Sequence, residues 1–304
     1  MHASTVRNLL VRGMIAGVLA GLFAFALAYF AGEPSVRDSI AQEEANSAPA
    51  HQHGGAEEDS ADSQSQAGAG AEAGAGAGAG TEAHQHGDEE EELVSRPVQS
   101  TFGLATGVLV YGVAVGGIAS LVFAVGLGRI GRFGPRATAA MIAGAAFVTV
   151  CLVPFLKYPA NPPAVGDPDT IGRRTALYFL MILLSVLLAV AAIIVGRRLA
   201  PRLGNWNASL AAGGGYVVAV AVACLVLPAN TDPIPATFPA ALLWEFRLSS
   251  IAVQAVLWTA FGLIFGALAG GALRSGRAGQ TTGGETAGGE GAAGVASEPA
   301  GSSG

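Results

Sequence analysis

The chain has 304 residues, of which 51% are hydrophobic and 12% are charged, and its formal net charge is −6. Soluble globular domains carry about 25% charged residues, so this composition excludes a soluble enzyme, a fibrous protein and, because no basic block occurs, a nucleic-acid-binding protein. The two cysteines lie within apolar runs, which excludes a disulfide framework and a cysteine-based zinc motif. The class indicated is an all-α integral membrane protein.

Six apolar stretches are long enough to form a membrane-spanning helix, which takes about 20 residues. The predicted spans are residues 13–31, 98–127, 137–156, 175–195, 208–227 and 248–273. The first could instead be a cleaved signal peptide, because Arg7 and Arg12 precede it and Ala26-Leu27-Ala28 resembles a cleavage site. Its uncharged run is longer than the apolar core of a typical signal peptide, so we predict that it is retained. The chain then has six spans, or five if the first is cleaved.

Glycines recur at four-residue spacing in three of these spans, which places them on one face of a helix. The sets are Gly13, Gly17 and Gly21 in the first span, Gly103 and Gly107 with Gly112 and Gly116 in the second, and Gly262, Gly266 and Gly270 in the last. Glycine faces let helix backbones approach closely within a membrane, so we predict that the two sets of three glycines are packing surfaces. The alternative is that a Gly- and Ala-rich composition produces this spacing by chance.

The basic residues predict the orientation. With the N-terminus in the cytoplasm, ten of the sixteen Lys and Arg residues fall in short segments on that side, as the positive-inside rule requires. We expect a multi-pass protein of the inner (plasma) membrane with both termini cytoplasmic, and with Trp244 and Arg247 as an interfacial anchor. The expected domains are residues 1–31 with the first helix, an extracytoplasmic loop at 32–97, a five-helix membrane domain at 98–273 and a disordered cytoplasmic tail at 274–304.

The loop at residues 32–97 contains fifteen of the 22 acidic residues and two basic ones, a local net charge of −13. Its Gly/Ala-rich centre cannot bury a core and is expected to be disordered. Two His-Gln-His-Gly units flank this centre, each followed by acidic residues, and they supply His51, His53, His84 and His86. Imidazole and carboxylate suit divalent cobalt, nickel, zinc and copper, so the loop is predicted to capture metal. The alternative is a solvated acidic linker in which the histidines are incidental.

Two proline-rich loops follow the third and fifth spans. Each begins with Cys-Leu-Val, at Cys151 and Cys224, and continues to Pro-Ala-Asn, a repetition that suggests helical hairpins arranged around a pathway. The oxygen ligands that these loops would present at an outer mouth are Asn161, Asp167, Asp169, Asn230 and Asp232. The alternative for Asp167 and Asp169 is local pairing with Arg173 and Arg174.

No Asp, Glu, His, Lys or Arg lies within the uncharged runs of the six spans, although such groups usually mark ion sites in membranes. A crossing ion would therefore rely on polar uncharged groups such as Tyr111 and Gln254, on the cysteines, or on freed backbone carbonyls. Cys151 and Cys224 could be soft ligands, but packing is the commoner role of an apolar cysteine. We expect no enzyme activity and no cofactor, because no nucleophile–base set appears.

The run from Leu156 to Thr175, in the first proline loop, is the most specific family motif in the sequence. Further matching motifs are Gly32-Glu33-Pro34, Ile40-Ala41 with Glu43-Glu44-Ala45, Glu92 to Gln99, Trp206-Asn207 and Phe238 to Arg247. By these motifs the chain resembles the CbtA family of proposed cobalt-transporter subunits, from about residue 5 to 273. The resemblance implies cobalt supply for cobalamin, beside a small single-span partner, CbtB. The His pairs and the Gly/Ala insert depart from the family.

The hypothesis that follows is a membrane permease subunit for a divalent cation, with Co²⁺ as the first candidate and Ni²⁺ or Zn²⁺ as alternatives. The candidate metal ligands are His51, His53, His84, His86, Asn161, Asp167, Asp169 and Asp232. The alternative function is a non-transporting accessory subunit that binds metal outside and supports another complex. The expected partners are the lipid bilayer and a CbtB-like subunit, with a homo-oligomer left open and nucleic acid excluded.

Overall fold

The computed structural model describes residues 3–47, 98–129, 131, 133–163, 165–166, 168–230, 232 and 234–289. Every regular element within these residues is helical. Five helices are long and apolar enough to cross a membrane: Ala3–Glu44, Thr101–Gly126, Pro135–Lys157, Ile171–Val226 and Ala240–Arg274. The expected all-α membrane class is therefore confirmed.

The helix Ile171–Val226 contains both the predicted fourth and the predicted fifth span. Pro201 lies within it, and Gly204 has the non-helical dihedrals φ 77° and ψ 160°. Ser185 Oγ lies 2.9 Å from Tyr216 Oη, whereas a straight helix would separate residues 31 positions apart by about 46 Å. The chain therefore reverses at Gly204 into two antiparallel arms. Counted this way, the described helices make six spans.

The first span packs against the second through glycine. A Cβ atom on Gly17 would collide with the carbonyl of Gly112, and one on Gly116 would collide with the carbonyl of Gly13. Each backbone therefore occupies the space that a side chain would need on the other helix, which is the close approach that small residues allow. The predicted packing role of these glycines is confirmed, and the first span is a member of the bundle core.

The glycines of the sixth span and the remaining glycine pair of the second span differ in their contacts. A Cβ atom on Gly262 would lie 2.9 Å from Ala143 Cβ, and one on Gly266 would lie 3.3 Å from Arg136 Cα, so this face of the sixth span packs on the third. Gly103 and Gly107 have no neighbouring atom within 4 Å of a built Cβ. This pair therefore does not pack against the other described helices.

Two helices continue beyond their predicted ends. The first runs from Ala3–Leu27 through a π-helical segment, Ala28–Gly32, into Glu33–Ser47, where Ser35 and Ser39 are buried. The last runs over Ala240–Gly289, which differs from the expected disorder beginning at residue 274. A formed helix extends without a new nucleation cost, and the sequence contains no proline between residues 240 and 289.

The second and third spans each combine α-helical and π-helical segments, and a short turn precedes the fourth span. The second span consists of a π-helical segment, Gln99–Gly103, and the helix Leu104–Gly126. The third is Pro135–Ala146, the π-helical segment Phe147–Leu152 and Val153–Lys157, and the turn Pro168–Thr170 precedes the fourth. Phe123 and Phe265 are buried and meet edge to face at 5.0 Å, which joins the second and sixth spans in the core.

Candidate functional site

The two proline-rich loops meet at one end of the bundle, which we call the mouth (residues 157–174 and 227–239). Tyr158 Oη donates to the carbonyl oxygen of Pro228 at 2.7 Å, and Thr170 Oγ1 donates to Asp232 Oδ2 at 2.7 Å. The expectation that both loops lie on the same side is confirmed. Burial raises the pKa of the Tyr158 hydroxyl, so the group stays protonated and can donate to a higher pH than an exposed tyrosine. A small cleft here is lined by Tyr158, Thr170, Arg173, Arg174, Leu177, Ala229, Asn230 and Asp232.

A largely buried ion pair crosses this cleft. Arg174 Nε lies 3.1 Å from Asp232 Oδ2, and the Asp232 side chain is 6% exposed. Gly166 adopts φ +116°, and a side chain there would collide with the guanidinium of Arg174, so glycine at this position makes room for the arginine. Arg174 therefore pairs with Asp232, an aspartate of the other loop.

The sixth span contributes an arginine to the mouth. Arg247 Nη2 donates to Asn161 Oδ1 at 3.0 Å, and Arg247 Nε donates to the carbonyl oxygen of Ala160 at 3.2 Å. Sequence reasoning assigned Arg247 only the role of an interfacial anchor. Its position within the matched run Phe238 to Arg247 was the available signal, but nothing in the sequence identified the first proline loop as its partner.

The segment that carries the histidines is attached at the same end of the bundle as the mouth. The second span is parallel to the sixth, because Tyr111 interacts with Gln254 and, further along both helices, Phe123 packs on Phe265. The glycine contacts make the second span antiparallel to the first. Residue 47 and residue 98 therefore both lie toward the end of the bundle where the sixth span begins, which is also the end that carries the proline loops.

A polar cluster lies between the second, third and sixth spans. Trp258 Nε1 donates to Cys151 Sγ at 3.3 Å, and Cys151 Sγ lies 3.6 Å from Gln254 Oε1. The hydroxyl of Tyr111 interacts with the Gln254 side chain. Cys151 lies in the π-helical segment Phe147–Leu152, a distortion that frequently accompanies functional sites. Cys224 is instead part of a regular helix and only half-buried.

Comparison with known proteins identifies the family. Residues 6–270 match the model of the family described as "probable cobalt transporter subunit (CbtA)". The chain belongs to the CbtA family. This match covers the mouth, the polar cluster and the six spans up to Gly270, so the CbtA family description applies to the bundle as a whole. No curated protein and no solved structure matches the chain.

The metal ligands expected for this CbtA chain are distributed unequally. Asn161 and Asp232 lie at the mouth and are already engaged by arginines, and Asp169 is exposed in the turn Pro168–Thr170. Outside the described residues lie His51, His53, His84, His86 and Asp167. Within the described part of the chain, no three side chains of His, Cys, Asp or Glu converge to hold a metal. Metal binding by these eight residues stays a prediction.

Proposed function

We propose that this chain is a permease subunit through which Co²⁺, or a similar divalent cation, crosses the membrane. The observation that supports this most is that residues 47 and 98 lie toward the same end of the bundle as the mouth. The segment between them holds four of the five histidines and eleven of the 22 acidic residues. A cation held by imidazole and carboxylate in that segment is therefore tethered beside the entrance to the bundle.

The charge distribution supports an inward direction of transport in this proposal. We place the mouth outside and the arginine-rich end inside, in accordance with the positive-inside rule. With a membrane potential that is negative inside, a divalent cation gains about 2.3 kcal/mol per charge for each 100 mV as it enters. The collecting segment then raises the local concentration of the cation, and the potential drives its entry.

The mouth residues take different parts in this proposal. Asp232 is neutralised by Arg174, and Asn161 already accepts a hydrogen bond from Arg247, so these two hold the loops together. Asp169 is exposed, and both Asp169 and Asp167 belong to the first proline loop. We assign the first contact with an incoming cation to these two carboxylates.

Uptake of radioactive cobalt into liposomes that contain the purified chain tests the proposal. With an inside-negative potential, we expect saturable uptake that nickel and zinc inhibit less well than unlabelled cobalt. Liposomes without protein and liposomes without the potential are the controls. The absence of flux from folded protein that still binds cobalt would overturn the proposal that this chain alone is a permease.

The second candidate is an accessory subunit that binds metal outside and supports another complex. It is favoured by the lack of a converging His, Cys, Asp and Glu set in the described residues. Uptake that appears only after a small single-span CbtB-like subunit is added to the liposomes would support this alternative. Neither candidate requires catalysis or a resident cofactor.

A further inference from the structure

The polar cluster lies directly below the mouth, on the same side of the sixth span. Arg247, Gln254 and Trp258 are separated by seven and four residues, so a helix brings all three to one face. Arg247 contacts the mouth at Asn161, whereas Gln254 lies about 10 Å further along the helix axis and contacts Cys151. A polar stripe therefore leads from the mouth into an otherwise apolar bundle.

We propose that Cys151, Gln254 and Tyr111 form an intramembrane binding station for a thiophilic divalent cation such as Co²⁺. The station deepens the proposed function, because it gives an entering ion its first site within the bundle. Its three ligands come from the third, sixth and second spans. Thiol, amide oxygen and phenol together suit a borderline metal better than Mg²⁺ or Ca²⁺, which take oxygen ligands alone.

The distance between sulfur and oxygen fits a single tetrahedral ion. Cys151 Sγ and Gln254 Oε1 are 3.6 Å apart. A tetrahedral ion with a metal–sulfur bond of about 2.3 Å and a metal–oxygen bond of about 2.1 Å would separate these atoms by about 3.6 Å. The two ligand atoms therefore already have the spacing that a bound ion requires. Tyr111 supplies a third ligand from the second span, and one position stays open to water, as in sites that exchange their ligands.

Trp258 favours the charged form of the sulfur. The indole N–H is a donor only, and it is directed at Cys151 Sγ from 3.3 Å. When the metal binds, the thiol S–H bond breaks, the sulfur–metal bond forms and the proton leaves to water at the mouth. The thiolate cancels one of the two charges of the cation, and the Trp258 hydrogen bond stabilises the thiolate in the manner of outer partners at metal sites.

The second cysteine provides a matched control. Cys224 begins the same Cys-Leu-Val motif in the fifth span, but it packs against the cluster of Val153, Tyr158 and Met181, which is separate from the core cluster that contains Cys151. These are the only two cysteines in the chain. A thiolate–metal signal therefore comes from one or the other, and the histidine segment cannot produce it.

The test is a titration of the purified full chain with Co²⁺, followed by the near-ultraviolet thiolate-to-cobalt charge-transfer band. We expect the band in the wild type and in Cys224→Ser, and its loss in Cys151→Ser. Trp258→Phe preserves the ring but removes the donor, so we expect about tenfold weaker cobalt binding read from the same band. Thermal unfolding of each variant separates a lost site from a lost fold.

Two results would overturn the station. One is the absence of the band from folded, cobalt-saturated wild type, and the other is a band that survives Cys151→Ser. Neither result depends on transport. Flux in liposomes without the band leaves the proposed permease standing and removes the station, whereas the band without flux supports the station and removes the permease.

Discussion

Arg174 and Asp232 form an ion pair between the two open ends of the hairpin made by the fourth and fifth spans. Arg174 lies at the start of the helix Ile171–Val226, and Asp232 lies just beyond its end. The chain reverses at Gly204, so the hairpin is closed covalently at one end and by this ion pair at the other. The pair is therefore expected to hold the arms together and the mouth closed at this side.

Replacing Asp232 with Asn should destabilise the protein by about 2 kcal/mol. The change leaves the Arg174 guanidinium beside a neutral amide, and removing one partner of a fully buried pair costs about 3–5 kcal/mol. The expected loss is smaller because the Arg174 side chain is 26% exposed. Thermal unfolding in detergent measures it. Glu33→Gln breaks the exposed pair with Arg37 and should cost less than about 1 kcal/mol; equal losses would contradict this role of Asp232.

Tyr158→Phe should lower stability by about 1 kcal/mol, the usual value of one intramolecular hydrogen bond. The variant keeps the ring but loses the bond to the Pro228 carbonyl. Because burial raises the Tyr158 pKa, this contribution is fully present below the ordinary tyrosine pKa of about 10 and is lost as the pH rises through the higher folded value. Chemical unfolding at pH 7 and pH 9 should therefore give the same difference. Tyr29→Phe, in the π-helical segment Ala28–Gly32 of the first helix, is the control for loss of a tyrosine hydroxyl elsewhere.

Gly17→Val should prevent the first and second spans from packing. The new side chain would occupy the position of the Gly112 backbone, and neither helix can yield without separating. We expect loss of the monodisperse folded protein in size-exclusion chromatography. Gly107→Val introduces the same side chain at a position where no neighbouring atom lies within 4 Å of a built Cβ, so it should be tolerated. Equal behaviour of the two variants would show that the glycine contact is not needed.

Replacing Asp167 and Asp169 together with Asn should abolish most cobalt uptake in the liposome assay. The change removes the two carboxylates proposed to meet the ion first and keeps their size. Asp38→Asn, in the helix Glu33–Ser47, changes the charge by one without touching the mouth loops. Normal expression with unchanged uptake by the double variant would remove these residues from the path.

Changing His51, His53, His84 and His86 to Ala should reduce uptake mainly at low cobalt concentration. A collecting segment raises the local concentration of the ion, so its loss should raise KM and leave the maximal rate nearly unchanged. Wild type at pH 5.5 should behave similarly, because imidazole with an ordinary pKa of about 6.5 is then protonated and does not bind metal. His2→Ala controls for the loss of a histidine outside this segment. An unchanged KM would contradict the collecting role.

The spans and much of their packing could be predicted from the sequence. Apolar runs near 20 residues report membrane crossing directly, and even the reversal at Gly204 follows from the charged, proline-containing stretch between two such runs. The face with Gly13 and Gly17 was identifiable because helical spacing fixes which residues share a side. The partner glycines, Gly112 and Gly116, could be told from Gly103 and Gly107 only by the three-dimensional register of the two helices.

The contacts of the mouth could not be predicted in the same way. The spacing of Asp167 and Asp169 permitted local pairing with Arg173 and Arg174, but nothing in the sequence indicated that folding brings Asp232 to Arg174 from the other loop. Arg247 likewise finds Asn161 across 86 positions. Cys151 and Cys224 share one motif, yet it is Cys151 that meets Gln254 and Trp258, because tertiary packing places the π-helical segment against the sixth span.

The sixth span is synthesised last, so the contacts that it makes with earlier spans form late in biosynthesis. Gln254 and Trp258 complete the cluster around Cys151, Arg247 closes on the first proline loop, and Leu268 accepts from Arg12 across 256 positions. While the ribosome is still translating the earlier spans, none of these bonds can form. The first five spans therefore occupy the bilayer without the contacts to Cys151, Asn161 and Arg12. These contacts form only after the last helix has inserted.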